Sequence, residues 1–449
     1  SEAQALSRPE TAGPVAAGSI VRPDAGESPT ATPEELPRAV APAGFDARTS
    51  TEDPTGRSAF ETLYINADGS HTVVASSDAV HYSDSEGQWQ PIDSTLVVGD
   101  DGTIRNRANS WSVAFSDISV DGVSFTTDRG DVLRWKAIEG HTAKPRIERD
   151  GVSVRYHDVW PGVDIVYTVR GVGVEELIEI TRPDADVSSL AFEIGDARVE
   201  QRSDASGLVI SVGESKLYVA APETYDATGF LVDAEGNVTQ IAHDGTVGVS
   251  IDRDWVKRQP SDRFPITIDP TLTGLATTVV TSFPTPGQGY TAINDGFGRV
   301  GNPTVAGKPN LRWRGNIGWN YTSYLGYRVT NATVTSTVAS GSATGNRNYD
   351  VYWADEYGYH ASAVPRTLPP PYPNGNGWTP YGSAVMGNAG TASNVNLTPL
   401  FDYWFRNSIA GGLLLFKGDE TAALYTVKKY STTLSVTYNV PPSAPTASG

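Results

Sequence analysis

The turn Asp150-Gly151, with Val163-Asp164-Ile165-Val166 twelve residues further on, holds the pattern that decides the fold. An acidic residue before glycine favours a tight hairpin turn, and a short β-branched run beside it reads as a strand. The same punctuation recurs at Asp68-Gly69, Glu86-Gly87, Asp101-Gly102, Asp121-Gly122, Glu235-Gly236 and Asp244-Gly245, with Thr72-Val73-Val74 as a second β-branched run. A 3.6-residue apolar period cannot be followed for more than about two turns in this region, so helices are not expected there. The reading is all-β: a domain of antiparallel hairpins over residues 58–271, followed by a jelly-roll-like β-sandwich.

The second domain begins where composition shifts. Phe264-Pro265-Ile266-Thr267-Ile268-Asp269-Pro270-Thr271 reads as a last strand closed by a proline turn, because a residue before proline is pushed away from helical backbone. Residues 272–440 then show short β-rich runs at Thr277 to Thr281, Tyr324 to Thr337, Asp350 to Trp353, Leu413 to Phe416 and Thr433 to Tyr438. Asn394 to Arg406 reads as a strand followed by a short helical turn, and the proline-rich stretch Leu368 to Gly377 as a loop. Residues 1–57 form a leader rich in proline and alanine, with Leu36 and Phe45 as candidate anchors, and residues 441–449 read as a linker.

Charge divides along the same line. The 449-residue chain has a formal net charge of −18. Residues from 271 onward carry 11 Lys+Arg against 7 Asp+Glu, so the acidic excess lies entirely before them. Phosphate recognition needs clustered basic residues, so no nucleic-acid partner is expected. With no cysteine, disulfides and thiolate metal sites are excluded. No apolar stretch approaches the ~18 residues of a membrane-spanning helix, and no membrane span is expected. The only methionine is Met386 and the first residues lack a signal-peptide pattern, so the chain is read as processed or excised from a longer protein.

Three stretches carry a resemblance. They are Gly87-Gln88-Trp89-Gln90-Pro91-Ile92-Asp93, then Tyr156-His157-Asp158-Val159-Trp160-Pro161-Gly162-Val163-Asp164-Ile165-Val166-Tyr167 with Glu175 to Ile180, and the Phe264 to Thr271 terminus. In this order and spacing they resemble the N-terminal region of secreted bacterial RHS/YD-repeat proteins of the wall-associated, polymorphic-toxin type. Residues 275 to 439 are similar to DNRLRE-type domains, β-sandwiches related to carbohydrate-binding modules. That similarity rests on Gly298 to Gly301, Tyr324 to Val338, Val395 to Leu400 leading to Trp404, Gly412 to Leu415, and Lys428 to Tyr438. Where that family has an arginine, a phenylalanine and an aspartate in a strand, this chain has Tyr324-Leu325-Gly326-Tyr327. Pro441 to Thr446 resembles the start of a fibronectin type III domain.

The resemblance implies a secreted, extracellular or cell-wall-associated and non-catalytic front portion of a longer protein. Its partners would be a cell-surface or wall polysaccharide and the downstream RHS-repeat shell of the same protein. Two alternatives stay open: a free-standing extracellular polysaccharide-binding protein and a carbohydrate-active enzyme.

Site candidates follow from residue chemistry. Trp313, Trp319, Tyr321, Trp353, Tyr357, Tyr359 and Trp378 lie in or beside loops rich in glycine and asparagine, and flat aromatic faces pack against sugar rings. A small sandwich also needs tryptophan and tyrosine in its core, which is the competing reading. Gly296-Phe297-Gly298-Arg299-Val300-Gly301 fits a dinucleotide-binding pattern letter for letter, yet Pro303 and Pro309 follow where a helix would have to start, and strand and turn glycines account for it. The six histidines form no metal-ligand pair, and no Gly-x-Ser-x-Gly elbow occurs. Carboxylate pairs such as Asp158 with Asp164, or Glu175 with Glu176, do not stand out among 52 acidic residues, so no catalytic residue and no cofactor is assigned. Structural calcium held by the acidic turns is the one metal considered, without an EF-hand loop to carry it.

Overall fold

The computed structural model describes residues 44–202, 207–233, 235–270, 272–273, 280–288, 292–293, 295–305, 308, 310–354, 375–409, 412–422 and 424–440. The protein is all-β, with antiparallel pairing throughout its sheets. Four large sheets pair off around two hydrophobic cores. Among the described residues, no helix is long and apolar enough to cross a membrane.

The first sandwich packs an eight-stranded sheet against a ten-stranded one. Strand Val163–Val169 shows why the chain folds this way: Val163, Ile165 and Tyr167 alternate into the core, while Asp164 and Thr168 face outward. Its neighbours Ser153–Trp160 and Gly173–Ile180 pair on either side, bringing Tyr156, Ile178 and Ile180 into the same layer. The opposing sheet contributes Phe115, Phe125, Leu133 and Trp135. Of the expected acidic-glycine turns, Asp101-Gly102, Asp121-Gly122, Asp150-Gly151 and Asp244-Gly245 close hairpins in this sandwich and Asp68-Gly69 and Glu86-Gly87 close hairpins elsewhere, whereas Glu235-Gly236 lies between strands that do not pair. Gly122 sits at φ 69°, and a Cβ there would lie 2.1 Å from the Trp135 carbonyl oxygen, so both backbone conformation and space require glycine.

The second sandwich joins a seven-stranded sheet to a five-stranded one around Tyr349, Phe401, Trp404, Phe405, Phe416 and Tyr430. Strand Ala392–Asn396 and helix Thr398–Arg406 follow one another as the sequence suggests, and the helix buries Leu400, Phe401, Trp404 and Phe405. One feature differs from the expected division at residue 58. Strands Thr51–Asp53, Glu61–Ile65 and His71–Ser76 belong to the seven-stranded sheet of the second sandwich, where His71–Ser76 pairs along Lys428–Asn439. Val73 and Ala75 enter that core, and the Thr72 and Thr437 hydroxyls meet at 2.8 Å. The pairing covers an edge of the long final strand that would otherwise present open hydrogen-bonding groups. The first sandwich therefore runs from Asp93–Val98 to Leu272–Thr273, set between two parts of the second.

Candidate functional site

Alternation along the strands of the five-stranded sheet separates a core face from an outer face. Strand order is Val280–Pro284, Trp313–Gly318, Leu413–Gly418, Arg347–Trp353 and Gly382–Met386. The register aligns Phe283, Arg314, Lys417, Asp350 and Ser383 in one row across the sheet. The next row is Thr281, Asn316, Leu415 and Tyr352. Ile317, Leu414, Phe416 and Val351 point the other way, into the sandwich core.

On the outer face an apolar floor carries polar groups. Tyr352, Ala354, Leu413 and Leu415 form a separate small cluster, and the half-buried Trp378 packs on it, its ring centroid 6.0 Å from that of Tyr352 at an interplanar angle of 80°. Beside it, Arg314 makes a bidentate pair with Glu420 through Nε and Nη2, at 2.7 and 2.9 Å. Asn376 Oδ1 accepts from Arg314 Nη2 at 3.2 Å and from Lys417 Nζ at 2.8 Å. Asp350 accepts from Ser383 Oγ at 2.5 Å and from the Tyr352 hydroxyl at 3.2 Å. Burial, reinforced by the Asp350 charge, pushes the Tyr352 hydroxyl up to about 12, and burial holds the Lys417 ammonium below its ordinary value. Asn316, 3% exposed, has no hydrogen-bond partner for its amide nitrogen or its amide oxygen among the described residues.

The aromatic residues expected to bind a ligand divide sharply. Trp313, Trp319, Tyr321 and Trp353 are all buried, at 3 to 5% exposure, so the expectation of exposed rings is corrected for these four. Tyr321 stacks on Trp404 with centroids 5.6 Å apart, and Trp353 meets the same indole edge to face at 5.7 Å. Their rings fill the junction between helix Thr398–Arg406 and the sheet, leaving no free face for a sugar. Trp378 alone of the described candidates is partly open to solvent. Tyr357 and Tyr359 lie outside the described residues.

Other sequence candidates have structural roles. Gly298 and Gly315 flank Tyr430 so closely that a Cβ would lie 2.3 Å from its ring carbon Cζ or 2.2 Å from its hydroxyl oxygen, respectively, which explains Gly298 of the dinucleotide-like run. Asp158 and Asp164 do come together, but around a β-bulge: Asp164 accepts from the Asp158 amide at 2.9 Å, His157 Nδ1 at 3.0 Å and Arg155 Nη1 at 3.2 Å. Glu175 and Glu176 point to opposite sides of their strand, one toward Lys429 and the other beside Tyr167. Among the described residues, no group of three or more histidine and carboxylate side chains converges as a metal site.

Asn316, Asp350 and the Arg314–Glu420 pair were not singled out from sequence. A single alternating strand, Trp313-Arg314-Gly315-Asn316-Ile317-Gly318, carried the signal, with its polar residues in phase.

No family model matches the chain. No curated protein matches it either. Among solved structures, one described as the structure of PNGF-II in C2 space group covers 88% of this chain and 92% of its own at 11% identity. Its TM-score of 0.15 is too low to carry an argument about fold or activity. What the fold and the outer face define is a two-sandwich, all-β protein with an aromatic and polar sheet face.

Proposed function

We propose that this chain is a non-catalytic glycan-attachment portion of a secreted, wall-associated protein of the RHS-repeat kind. The observation that carries the proposal is the outer face of the five-stranded sheet, where the half-buried Trp378 lies beside Asn376, Lys417, Arg314 and Asp350. An indole offers a flat apolar surface to a sugar ring, while the neighbouring amide, ammonium and carboxylate groups match ring hydroxyls. The arrangement fixes the polar groups by hydrogen bonds before any ligand arrives, which lowers the ordering cost of binding. The likeness of the three sequence stretches to the front of RHS-repeat proteins supports the wider placement, with the repeat shell as the second partner.

The test is a glycan array followed by calorimetric titration of the polysaccharide that binds. The expected result is binding by the parent chain, lost in Trp378→Ala and weakened in Asp350→Asn, with near-ultraviolet circular dichroism unchanged. Absence of glycan binding by the parent would overturn the attachment role. Reducing-sugar release abolished by one carboxyl substitution would instead make the chain an enzyme.

A further inference from the structure

Between the two sheets of the first sandwich lies a cavity of about 50 Å³. Its deep wall is apolar: Leu133, Phe192, Ile210, Val249 and Leu272 are all buried. Its rim is different. Val219, Val247 and Gly248 are only partly buried, and two polar side chains, Glu176 and Gln240, join them.

These two polar groups are unusual for such a place. The Gln240 side chain is shielded from solvent at both amide atoms, and neither has a hydrogen-bond partner among the described residues. A buried amide left unpaired carries an uncompensated desolvation cost, so a strand residue that keeps one needs a reason. Glu176 sits opposite Tyr167 on the adjacent strand, and the Tyr167 hydroxyl accepts from Trp135 Nε1 at 2.9 Å. Tyr167 and the Glu176 side chain line the cavity together. Strand Thr239–His243 holds Gln240 there from the opposite sheet, at the edge of the eight-stranded layer.

The geometry points to a second binding site, independent of the sheet face, that takes a short aliphatic alcohol or the hydroxyl-bearing end of a larger alkyl molecule. The alkyl part would occupy the space among Leu133, Ile210, Val249 and Leu272, and the hydroxyl would sit between Gln240 and Glu176. A hydroxyl both donates and accepts, which is what an amide and a carboxyl together can satisfy. A space of this size holds about four or five water-sized atoms, so a four-carbon chain is the natural limit. Water in the same place would satisfy Gln240 but gains nothing from the apolar wall, whereas each buried methylene of an alkyl chain adds favourable burial.

The probe is butan-1-ol, titrated into the full chain by calorimetry, with 1,4-butanediol as the polar-ended control. Saturable binding in the millimolar range is expected for butan-1-ol, at least tenfold weaker for the diol. Ile210→Phe, which fills the deep wall, should abolish it. Should that variant fail to fold, Val219→Phe at the rim serves the same purpose. Gln240→Leu should weaken butan-1-ol binding at least fivefold while xenon, read by ¹²⁹Xe magnetic resonance, still enters. No saturable heat with butan-1-ol, or equal binding by parent and the cavity-filling variant, overturns the proposal and leaves a hydrated cavity only.

Discussion

Lys429 Nζ lies 2.9 Å from Asp269 Oδ2, and the two residues come from different sandwiches. Asp269 ends the strand Ile266–Asp269 of the first, and Lys429 is the second residue of the strand Lys428–Asn439 of the second. Around them gather Glu175, 3.6 Å from the same ammonium, and Arg299, which pairs with both Glu223 and Asp295. The Phe297 ring closes the group, with Lys429 Nζ 4.5 Å and the Arg170 guanidinium 3.9 Å from its centroid. Burial works against the charged forms of Lys429 and Asp295, but Asp269 and Glu175 hold the lysine above its ordinary value, and Arg299 holds Asp295 below its own. Four carboxyls thus meet three cations, Lys429, Arg299 and Arg170, and burial pushes the Glu175 carboxyl up.

Removing one partner from such a group leaves the others uncompensated. Lys429→Met is expected to destabilise the chain by about 3–5 kcal/mol, read from denaturant unfolding. Combining it with Asp269→Asn and Glu175→Gln should recover more than half of that loss, because the stranded negative charges are gone. An unfolding midpoint for the single variant equal to the parent's would show that the sandwiches do not depend on this contact.

Stability should also fall as pH rises from about 4 to 7. Burial pushes the Glu176 and Asp233 carboxyls up to about 7 each, above the ordinary carboxylate range. A carboxyl whose folded value is raised contributes stability that is complete below its unfolded value and is lost as pH climbs through the folded one. Glu223 and Asp295 behave oppositely: both are held low, so their contribution exists above the unfolded value and is lost only in acid. Glu176→Gln and Asp233→Asn should each raise stability at pH 8 by about 1–3 kcal/mol and flatten the decline between pH 4 and 7. A slope unchanged in the double variant would place the titration elsewhere.

Much of the fold could be read along the chain because its signals are local. Asp101-Gly102 and Asp121-Gly122 each mark a turn within a few residues, and Val163 to Tyr167 shows its buried face by simple alternation. Partners far apart leave no such mark. Nothing in His71–Ser76 announces that it pairs with Lys428–Asn439 across more than 350 residues, and Glu175, Glu223, Asp269, Arg299 and Lys429 converge from five separate strands. The aromatic residues failed as a guide for a related reason. Trp319, Tyr321, Trp353 and Trp378 share the same loop-like surroundings in sequence, and only the phase of the strands and the docking of helix Thr398–Arg406 decide which rings are covered.

That difference has a measurable form. Trp404→Ala removes a ring with no solvent exposure at the centre of the second core, against Tyr321, Trp353 and Phe401, and should cost about 3–5 kcal/mol. Trp378→Ala, at the margin of a small outer cluster, should cost less than half as much. Equal losses in chemical unfolding would mean that Trp378 is a core residue rather than part of an open face.

Two glycines that each follow an aspartate between paired strands and share a left-handed φ allow the sharpest comparison. Gly102 has φ 76° and nothing within 4 Å of a Cβ, so Gly102→Ala meets only the backbone cost of about 1–2 kcal/mol for a left-handed residue. Gly122 has nearly the same backbone, φ 69°, but a Cβ there would lie 2.1 Å from the Trp135 carbonyl oxygen and 2.9 Å from the Lys136 Cβ. Neither atom is the end of a flexible side chain, so relief requires the hairpin to part from the strand Val132–Ala137 beneath it. Gly122→Ala should therefore lose at least 2 kcal/mol more than Gly102→Ala in urea unfolding, and amide exchange should quicken at Val123 and Trp135 in the first variant only. Similar losses for the two would mean that the turn at Asp121-Gly122 stands clear of that strand.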